Sequence, residues 1–375
     1  MTADTTRTQL DATASALGPA EDTRGARSGG LSTEMWGAIG LLLLTAVLIL
    51  ASRWISPAFG SWNQAKAILV LSSFVVVVAF GQQMVILTGG LDLSIASVMT
   101  MGGVLTFGWI GSSGPALIWG IPLVLLLTGA IGALNGFGVV VLRVPPFIMT
   151  LAMGIIVYGA TLGITGGTPR GQASPVLSAL FTRSVLDVPL VIYGMVVLAI
   201  LGSLLQVGTG FGRRLYAVGT NPAAAHIAGL PVRLITFLTY AISGASAGLA
   251  GIFMVGYAGG ATLTMGQSYL LPSVAAAVVG GTSILGGSGL YLGAVGGALL
   301  LTTFSTIISA LGIAEGWRTI IYGLVILLAL LLLREELYLW MERLTARPVS
   351  AAAPGGRDGH RTSEMPSITD NGGNA

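Results

Sequence analysis

Residues 211–232 read FGRRLYAVGTNPAAAHIAGLPV, and they divide the apolar segments of this chain into two blocks. The stretch contains two adjacent arginines, Arg213 and Arg214, and a charged side chain is costly in the interior of a lipid bilayer. It must therefore lie outside the lipid. A chain organised in this way enters the membrane, emerges at residues 211–232, and enters it again.

The composition of the whole chain is that of an integral membrane protein. Of 375 residues, 54% are hydrophobic and only 8% are charged, whereas about 25% of the residues of soluble proteins are charged. The net charge of +3 is small, and its arginines lie near the ends of apolar segments, which argues against nucleic acid as a partner. The chain has no cysteine, which excludes disulfides and cysteine-bound metal.

Ten apolar runs, most of them roughly 17 to 25 residues long, are candidates for membrane-spanning helices. They lie near residues 35–52, 66–88, 95–111, 117–141, 146–165, 189–207, 233–257, 270–285, 289–311 and 319–333. The run 270–285 is short enough to form a broken or re-entrant helix. Residues 1–33 are predicted to be a disordered tail, residues 34–335 the transmembrane domain, and residues 336–375 an interfacial helix followed by a second disordered tail.

The basic residues predict the orientation of these spans. An even number of spans places both termini on one side, and the cytoplasmic side is the one with more Lys and Arg. With cytoplasmic termini, the inner face carries Arg24, Arg27, Arg143, Arg213, Arg214, Arg233, Arg334, Arg343 and Arg347, and the outer face carries Arg53, Lys66, Arg170, Arg183 and Arg318. Both termini and residues 211–232 are therefore predicted to face the cytoplasm. The longest outer segment, 165–189, is polar enough to meet a soluble partner, or is a connector.

A short helix is predicted within residues 211–232. Asn221 followed by Pro222 is typical of a helix start, with Asn as the N-cap and Pro at the first helical position. The helix should cover residues 223–228 and end at Gly229. A short helix of small residues lying flat under a membrane bundle suits docking into a groove on another protein. The alternative is a capped turn in an ordinary positively charged loop.

Glycines spaced four residues apart lie on one face of a helix. Three such sets occur: Gly132 and Gly136; Gly244 and Gly248; and Gly289, Gly293 and Gly297. Helices in lipid gain little from hydrophobic contact and depend on the close approach that small residues allow. These faces are therefore predicted to pack tightly, within the bundle or across a dimer.

Asp92 is the only acidic residue between Glu34 and Asp187. An ionisable side chain in a membrane segment is by default a functional candidate, here for the substrate path. The residues after Asp92 also make it a good helix N-cap, because a carboxylate there accepts hydrogen bonds from free N–H groups and stabilises the helix dipole. The sequence context favours the cap, and both roles stay open.

Two consecutive prolines, Pro145 and Pro146, end one helix and begin the next. Phe147 and Thr150 lie three residues apart, which predicts that they share one side of the new helix. With Asn135, they offer an amide, a hydroxyl and an aromatic face to a hydroxyl-rich substrate on a path through the bundle. The alternative is that Asn135 bonds a neighbouring helix and that Phe147 faces lipid.

The sequence lacks the motifs of common catalytic sites. It has no G-x-x-x-x-G-K-[ST], and its only lysine, Lys66, lies in SWNQAKA, which cannot form a phosphate cradle. The two histidines, His226 and His360, lie far apart in unlike surroundings, so a histidine metal site is not expected. The chain is predicted not to be an enzyme and to bind no cofactor itself.

Four segments resemble the ribose-type sugar permeases of bacterial ABC importers, in that family's order. They are GGLDLS at 89–94, Asn135-Gly136 with VPPFIMTL at 144–151, GRRLYAVGTNPAAAHIAGLPV at 212–232, and a looser Gly-Gly-rich segment near 277–300. The chain departs from the family pattern at Leu91 and Leu230, where isoleucine is usual, and at Ala96, where glycine is common. These changes are conservative.

The resemblance implies an all-α bundle of about ten helices like that of type II ABC importer permeases, in the bacterial plasma (inner) membrane. It implies work as a dimer with a second permease subunit, identical or not. It further implies an extracytoplasmic substrate-binding protein that delivers a monosaccharide or related polyol, and a cytoplasmic ABC ATPase that binds ATP and Mg.

The resemblance also implies an ATPase-coupling role for part of residues 211–232. The residues concerned are Arg213, Arg214, Tyr216, Gly219, Asn221, Ala224, Ala225 and Gly229.

Two alternatives to a sugar permease remain. Permeases for branched-chain amino acids or nucleosides have a similar layout. An ion-coupled secondary transporter is a different class, and it would be expected to have buried acids that coordinate ions, whereas this core offers mainly Asp92.

Overall fold

The computed structural model describes residues 33–54, 60–111 and 115–332. Apart from Thr33, the two predicted tails lie outside these residues, as does the predicted interfacial helix. The described chain up to Leu330 belongs to one compact unit.

Within the described ranges the structure is helical apart from one small hairpin. The elements are α1 (Thr33–Ala51), α2 (Trp62–Leu87), α3 (Ile95–Leu105), α4 (Ala116–Val140), α5 (Pro146–Thr165), α6 (Pro175–Thr182), β1 (Ser184–Val185), β2 (Val188–Pro189), α7 (Leu190–Ser203), α8 (Gly210–Thr220), α9 (Pro222–Ile227), α10 (Val232–Ala258), α11 (Leu270–Val279), α12 (Tyr291–Ala310) and α13 (Glu315–Leu332). Helices α3 and α7 continue into one wider turn each, Thr106–Ile110 and Leu204–Gly208.

Every predicted span overlaps an observed helix. Seven of the described helices, α1, α2, α4, α5, α7, α10 and α12, are long and apolar enough to cross a membrane. The span predicted over 270–285 ends earlier, at Val279, because Gly281 has φ +85°, which a helix does not allow. The connection before this helix approaches α3, where Gly266 N–H donates to Thr100 Oγ1 at 3.1 Å.

The hairpin was missing from the all-α prediction. Its two strands pair Ser184 with Pro189 and Val185 with Val188. Strands of two residues are too short to show the alternation that predicts a strand. The two turn residues, Leu186 and Asp187, have φ values of +51° and +64°, the positive values that a two-residue hairpin turn requires.

The bundle is built around α10, which packs most extensively on α4 and also on α3 and α2. The contact with α4 consists largely of glycine. A Cβ added to Gly132 would meet Tyr240 O and lie 3.0 Å from Gly244 N. A Cβ on Gly136 would lie 2.9 Å from Phe237 Cα, and one on Gly248 would lie 2.8 Å from Thr128 Cβ. At these positions the backbones of the two helices leave no room for a side chain.

Replacing Gly132 by valine is expected to destabilise the bundle, because the added atoms meet backbone that cannot rotate away. Overpacking of this kind costs about 1–3 kcal/mol or more. Gly159→Ala is the matched control, since its Cβ would meet nothing within 4 Å and alanine is the better helix former. Thermal unfolding of both variants in one detergent checks this, and equal midpoints for Gly132→Val and wild type would contradict it.

The third glycine set is divided between a helix and a loop. Gly293 and Gly297 lie on α12, and a Cβ on either would meet the backbone of Gly280 or Ala276 at the end of α11. Gly289 differs from the prediction, because α12 begins only at Tyr291. Its φ of +131° places it in the connection before the helix, so it does not share a helix face with the other two.

One end of the bundle gathers the connections from α2 to α3 and from α11 to α12. Gly287 N–H donates to Leu87 O at 3.0 Å, and Gln83 Nε2 donates to Thr282 Oγ1 at 2.9 Å. Helix α8 packs there too, since a Cβ on Gly219 would meet both Leu87 O and the Gly287 backbone. We call this the α8 end.

The opposite end carries the hairpin, and we call it the hairpin end. Asp187 Oδ2 accepts hydrogen bonds of 2.8 Å from Lys66 Nζ and from Trp62 Nε1. The Lys66 hydrogen bond, followed by that of Trp62, holds the pKa of the Asp187 carboxyl below its ordinary value. This contact fastens the hairpin to the beginning of α2.

Candidate functional site

Residues 209–231 form two short helices at the α8 end, joined at Asn221. Asn221 Oδ1 accepts the Ala224 N–H at 3.0 Å, and Pro222 is the first residue of α9. The helix ends with Gly229 at φ +78° and with Leu230 N–H donating to Ala225 O at 3.0 Å. The predicted helix therefore forms, with Asn221 and Pro222 at its start and Gly229 after its end as predicted.

One face of this segment is fastened to the bundle. Leu215, Val218 and Ala225 are buried, and α8 approaches the end of α2 at Gly219. The Tyr216 hydroxyl donates to Gly289 O at 2.6 Å. Among the residues proposed for coupling, Tyr216, Gly219 and Ala225 therefore belong to the attachment of the segment.

The other face of the segment is exposed. It presents Arg213, Arg214, Asn221, Ala224 and Gly229. Ile227 lies among them and is 87% exposed. Arginine and large apolar side chains are both enriched where proteins contact one another, so these exposed residues suit contact with another protein. We call this the α8–α9 surface.

A buried polar cluster lies where the loop between α2 and α3 meets α4 and α10. Asp92 is 1% exposed. Its Oδ1 accepts the Ser94 N–H at 3.0 Å and the Ser94 hydroxyl at 2.6 Å, and its Oδ2 accepts the Ser243 hydroxyl at 2.8 Å. Asn135 Nδ2 donates to Ser94 Oγ at 2.8 Å. We call Asp92, Ser94, Asn135 and Ser243 the Asp92 cluster.

The role of Asp92 differs from a simple helix cap. Helix α3 begins at Ile95 with Ser94 in the N-cap position, so Asp92 lies two residues before the cap. Its carboxylate closes a turn ahead of the helix and also reaches across to α10. It therefore joins a loop to a helix 151 residues further along the chain.

Thr150 reaches the same loop from α5, and Phe147 does not. The Thr150 hydroxyl lies 3.2 Å from Leu91 O and 2.9 Å from Pro146 O. Phe147 is 57% exposed whereas Thr150 is buried, so Phe147 does not take part in the buried contact. The buried stripe of α5 begins only at Thr150, because Phe147 lies in the first turn, ahead of the part that the loop covers.

The sequence interpretation missed several polar partners in this region. Ser243 and Tyr240 lie three residues apart on α10, and Gln82 and Gln83 are adjacent on α2; all four are fully buried. Polar side chains within an apolar span were the available signal, because such residues in membrane helices face protein or a cavity. The Tyr240 hydroxyl, Asn135 Oδ1 and both amide atoms of Gln82 have no partner in the described part of the chain.

The described residues contain no group of three or more His, Asp or Glu side chains placed to hold a metal ion.

Comparison with known proteins agrees with this architecture. The family model described as branched-chain amino acid transport system / permease component matches residues 64–330. The chain is 34% identical over 302 residues to the ribose import permease protein of Escherichia coli (strain K12), covering 80% of this chain and 92% of the relative. It is 32% identical over 309 residues to that of Bacillus subtilis (strain 168), covering 82% and 94%.

The fructose import permease protein of Rhizobium meliloti is 32% identical over 305 residues, covering 78% of this chain and 83% of the relative. No solved structure matches the chain. The resemblance inferred from the sequence motifs is confirmed. The chain therefore belongs to the family of permease components described for the branched-chain amino acid transport system, together with the ribose import permeases.

Proposed function

We propose that the chain is the membrane permease subunit of an ATP-driven ABC importer that carries a monosaccharide or related polyol. The α8–α9 surface is the observation that carries this proposal. It is exposed, and through Gly219 it rests directly on Leu87 and Gly287. Leu87 ends α2, and the loop that follows contains Asp92. A force applied to this surface therefore has a short path into the bundle.

The proposed topology has ten crossings with both termini in the cytoplasm. Helices α3, α11 and α13 complete the seven longer spans. The α8 end faces the cytoplasm, because the paired arginines of α8 lie there and a basic surface is typical of cytoplasmic loops. The hairpin end faces outward. The membrane that the chain crosses is the inner membrane of a bacterium, as the bacterial relatives imply.

The chemistry of ATP is assigned to a partner. A cytoplasmic ABC ATPase would bind ATP and Mg and would contact the α8–α9 surface, with Arg213, Arg214, Asn221, Ala224 and Gly229 in the contact. A second permease subunit would complete the path, and a binding protein would deliver cargo at the hairpin end. The relatives named for ribose and fructose import support a sugar as the cargo.

In this mechanism the loop between α2 and α3 is the gate, and the Asp92 cluster holds it in place. Closure of the ATPase pair would pull α8 and α9, and with them the end of α2. Asp92, Asn135 and Thr150 hold the loop between α2 and α3 against α4, α5 and α10, so that loop would move with the rearranged bundle. Phe147 is exposed on α5. It would line the substrate path if the second permease subunit packs against this side of α5.

Reconstitution into liposomes tests the proposal. With its ATPase and binding protein, the chain should take up ribose or fructose in an ATP-dependent manner. An ATPase variant that cannot hydrolyse ATP should stop uptake. Uptake of leucine or a nucleoside instead would identify the related permease classes. Uptake driven by an ion gradient without the ATPase would contradict the ABC assignment and indicate a secondary transporter.

A further inference from the structure

An apolar groove lies beside α7. Helix α7 packs on α2 and α12, and a space of about 480 Å³ lies between it and the helices α4 and α10. Leu198 of α7 and Leu205 of the wider turn that follows it line the groove on one side. Leu125 of α4 and Leu249 of α10 line it on the other. The volume is within the range of about 300–1,000 Å³ typical of small-molecule sites.

The lining of this groove has little to offer a polar ligand. Ser246 and Tyr291 carry the only polar side chains among the described residues that line it. The Ser246 hydroxyl donates to Ile242 O at 2.8 Å, and the Tyr291 hydroxyl donates to Val76 O at 2.9 Å, so both protons are used within the bundle. A polar ligand would lose its hydrogen bonds to water here without replacement, which is costly. The groove therefore suits a hydrocarbon chain.

The groove lies in the part of α7 that is nearer the α8 end. Along the chain it extends from Leu198 to Leu205, while the hairpin precedes α7 at Pro189. Seven residues of helix rise about 10 Å, which is less than the depth of about 15 Å that one leaflet contributes to the hydrocarbon core. Leu201 also lines the groove and is 57% exposed, so the groove opens on the surface of the bundle. A lipid of the adjoining leaflet can therefore place an acyl chain in it.

A positive charge lies next to the end of the groove. Thr209 Oγ1 accepts the Gly212 N–H at 3.1 Å, and a Cβ on Gly212 would lie 2.8 Å from Leu205 O. The first turn of α8 therefore packs on the residue that ends the groove. The exposed side chain of Arg213 folds back over this turn, because its Nη2 lies 3.9 Å from the place that a Cβ on Gly210 would take.

Arg213 is free to bind an anion. In the described part of the chain it forms no ion pair with an acid. A guanidinium binds the oxygens of a phosphate through parallel N–H groups, and basic residues at the membrane surface attract anionic lipids. The charge at the end of the groove therefore complements a phosphate headgroup whose acyl chain lies in the groove.

We propose that this groove binds one acyl chain of an anionic phospholipid, with the lipid phosphate on Arg213. The lipid belongs to the leaflet on the α8 side, which is the cytoplasmic leaflet in the proposed topology. The apolar lining holds the chain, and Arg213 favours an anionic headgroup over a zwitterionic one. The site is separate from the Asp92 cluster and needs neither the ATPase nor a transported substrate.

Native mass spectrometry of the purified permease without its ATPase tests the headgroup contact. The chain is titrated in detergent with phosphatidylglycerol and with phosphatidylcholine of the same acyl chains, and we expect phosphatidylglycerol to bind more tightly. Arg213→Gln should weaken phosphatidylglycerol binding about fivefold, since one arginine near an anionic lipid contributes an effect of about this size, and should leave phosphatidylcholine binding unchanged. Arg143→Gln, at an exposed arginine after α4, is the matched control and should bind both lipids as wild type does.

Filling the groove tests the acyl-chain contact. Ala245 lines the groove on α10, and Ala245→Phe places a ring where the acyl chain would lie. We expect both lipids to bind at least about tenfold more weakly, because several buried CH₂ groups are displaced. Ala160→Phe makes the same change at an exposed position of α5 outside the groove and should bind as wild type does. If Ala245→Phe does not fold, Arg213→Gln decides.

Three results would overturn the proposal: equal affinity of wild type for the two lipids, unchanged phosphatidylglycerol binding in Arg213→Gln, or unchanged binding of both lipids in Ala245→Phe. If Ala245→Phe also turned a dimer into a monomer while lipid binding stayed unchanged, the groove would be a contact between two copies of the chain. None of these results depends on uptake. Absence of ATP-dependent uptake by wild type would contradict the proposed function and leave the lipid site in place.

Discussion

Replacing Gly219 by valine is expected to lower ATP-coupled uptake at least about tenfold while the bundle stays folded in the membrane. A side chain at this position would meet Leu87 O, and its Cβ would lie 2.7 Å from Gly287 N. Both neighbours are backbone atoms, and Gly287 N–H is itself bonded to Leu87 O. Neither can move without breaking the α8 end. The simplest relief is for α8 to lift away from α2.

Lifting α8 breaks the proposed path of force. A loss of about 1.4 kcal/mol in the coupled step is about a tenfold change in rate, and a lifted α8 no longer passes force to the end of α2. We therefore expect a loss of uptake of at least about tenfold. Because lifting α8 relieves the clash, the thermal midpoint should fall less than in Gly132→Val, where the clash lies between two helices packed inside the bundle.

The control for Gly219→Val lies just before α8. Gly208 has nothing within 4 Å of a Cβ, so Gly208→Ala should keep wild-type uptake. Uptake into proteoliposomes and co-purification of the ATPase are measured together. Wild-type uptake in Gly219→Val would show that attachment of α8 to α2 is not needed for coupling.

Removing the carboxylate of Asp92 is expected to have the second large effect. In Asp92→Ala, the Ser94 N–H and the hydroxyls of Ser94 and Ser243 lose their shared acceptor in a buried place. Each buried group left without a partner costs about 1–3 kcal/mol. The variant should therefore lose several degrees or more in thermal midpoint, and uptake with it.

Asp92→Asn separates hydrogen bonding from charge. The amide oxygen still accepts from Ser94, and the amide N–H can donate to the Ser243 hydroxyl, so we expect a midpoint near wild type and uptake within a few-fold of it. Asp187→Asn, at the exposed acid of the hairpin end, is the control and should retain uptake. A normal midpoint with abolished uptake in Asp92→Asn would instead place the charge itself on the substrate path.

The sequence predicted the helices better than their connections. Each apolar run overlaps an observed helix, because a helix lets a single segment satisfy its backbone hydrogen bonds in lipid. The break at Gly280 and Gly281 was harder to place, since glycine is frequent both within packed helices and at their ends in this chain. Gly293 lies inside α12, while Gly289 lies outside it, and only their backbone angles distinguish them.

Within the candidate site, the sequence predicted the contacts between residues close together in the chain and missed those between distant residues. Asn221, Pro222 and Gly229 act on neighbours within a few residues, so their roles could be inferred from spacing. The partner of Asp92 on α10 is 151 residues away, and nothing in the sequence pairs Ser243 with it. The exposure of Phe147 likewise depends on where the neighbouring loop ends.

The central claim is that the α8–α9 surface faces the cytoplasm and receives the ATPase. Because the chain has no cysteine, Ala223→Cys would carry its only thiol, on the exposed side of α9. A membrane-impermeant maleimide should label it only from the cytoplasmic side, and bound ATPase should protect it, whereas Leu186→Cys at the hairpin end should be labelled only from outside. Labelling of Ala223→Cys from outside, or no protection by the ATPase, would contradict the account.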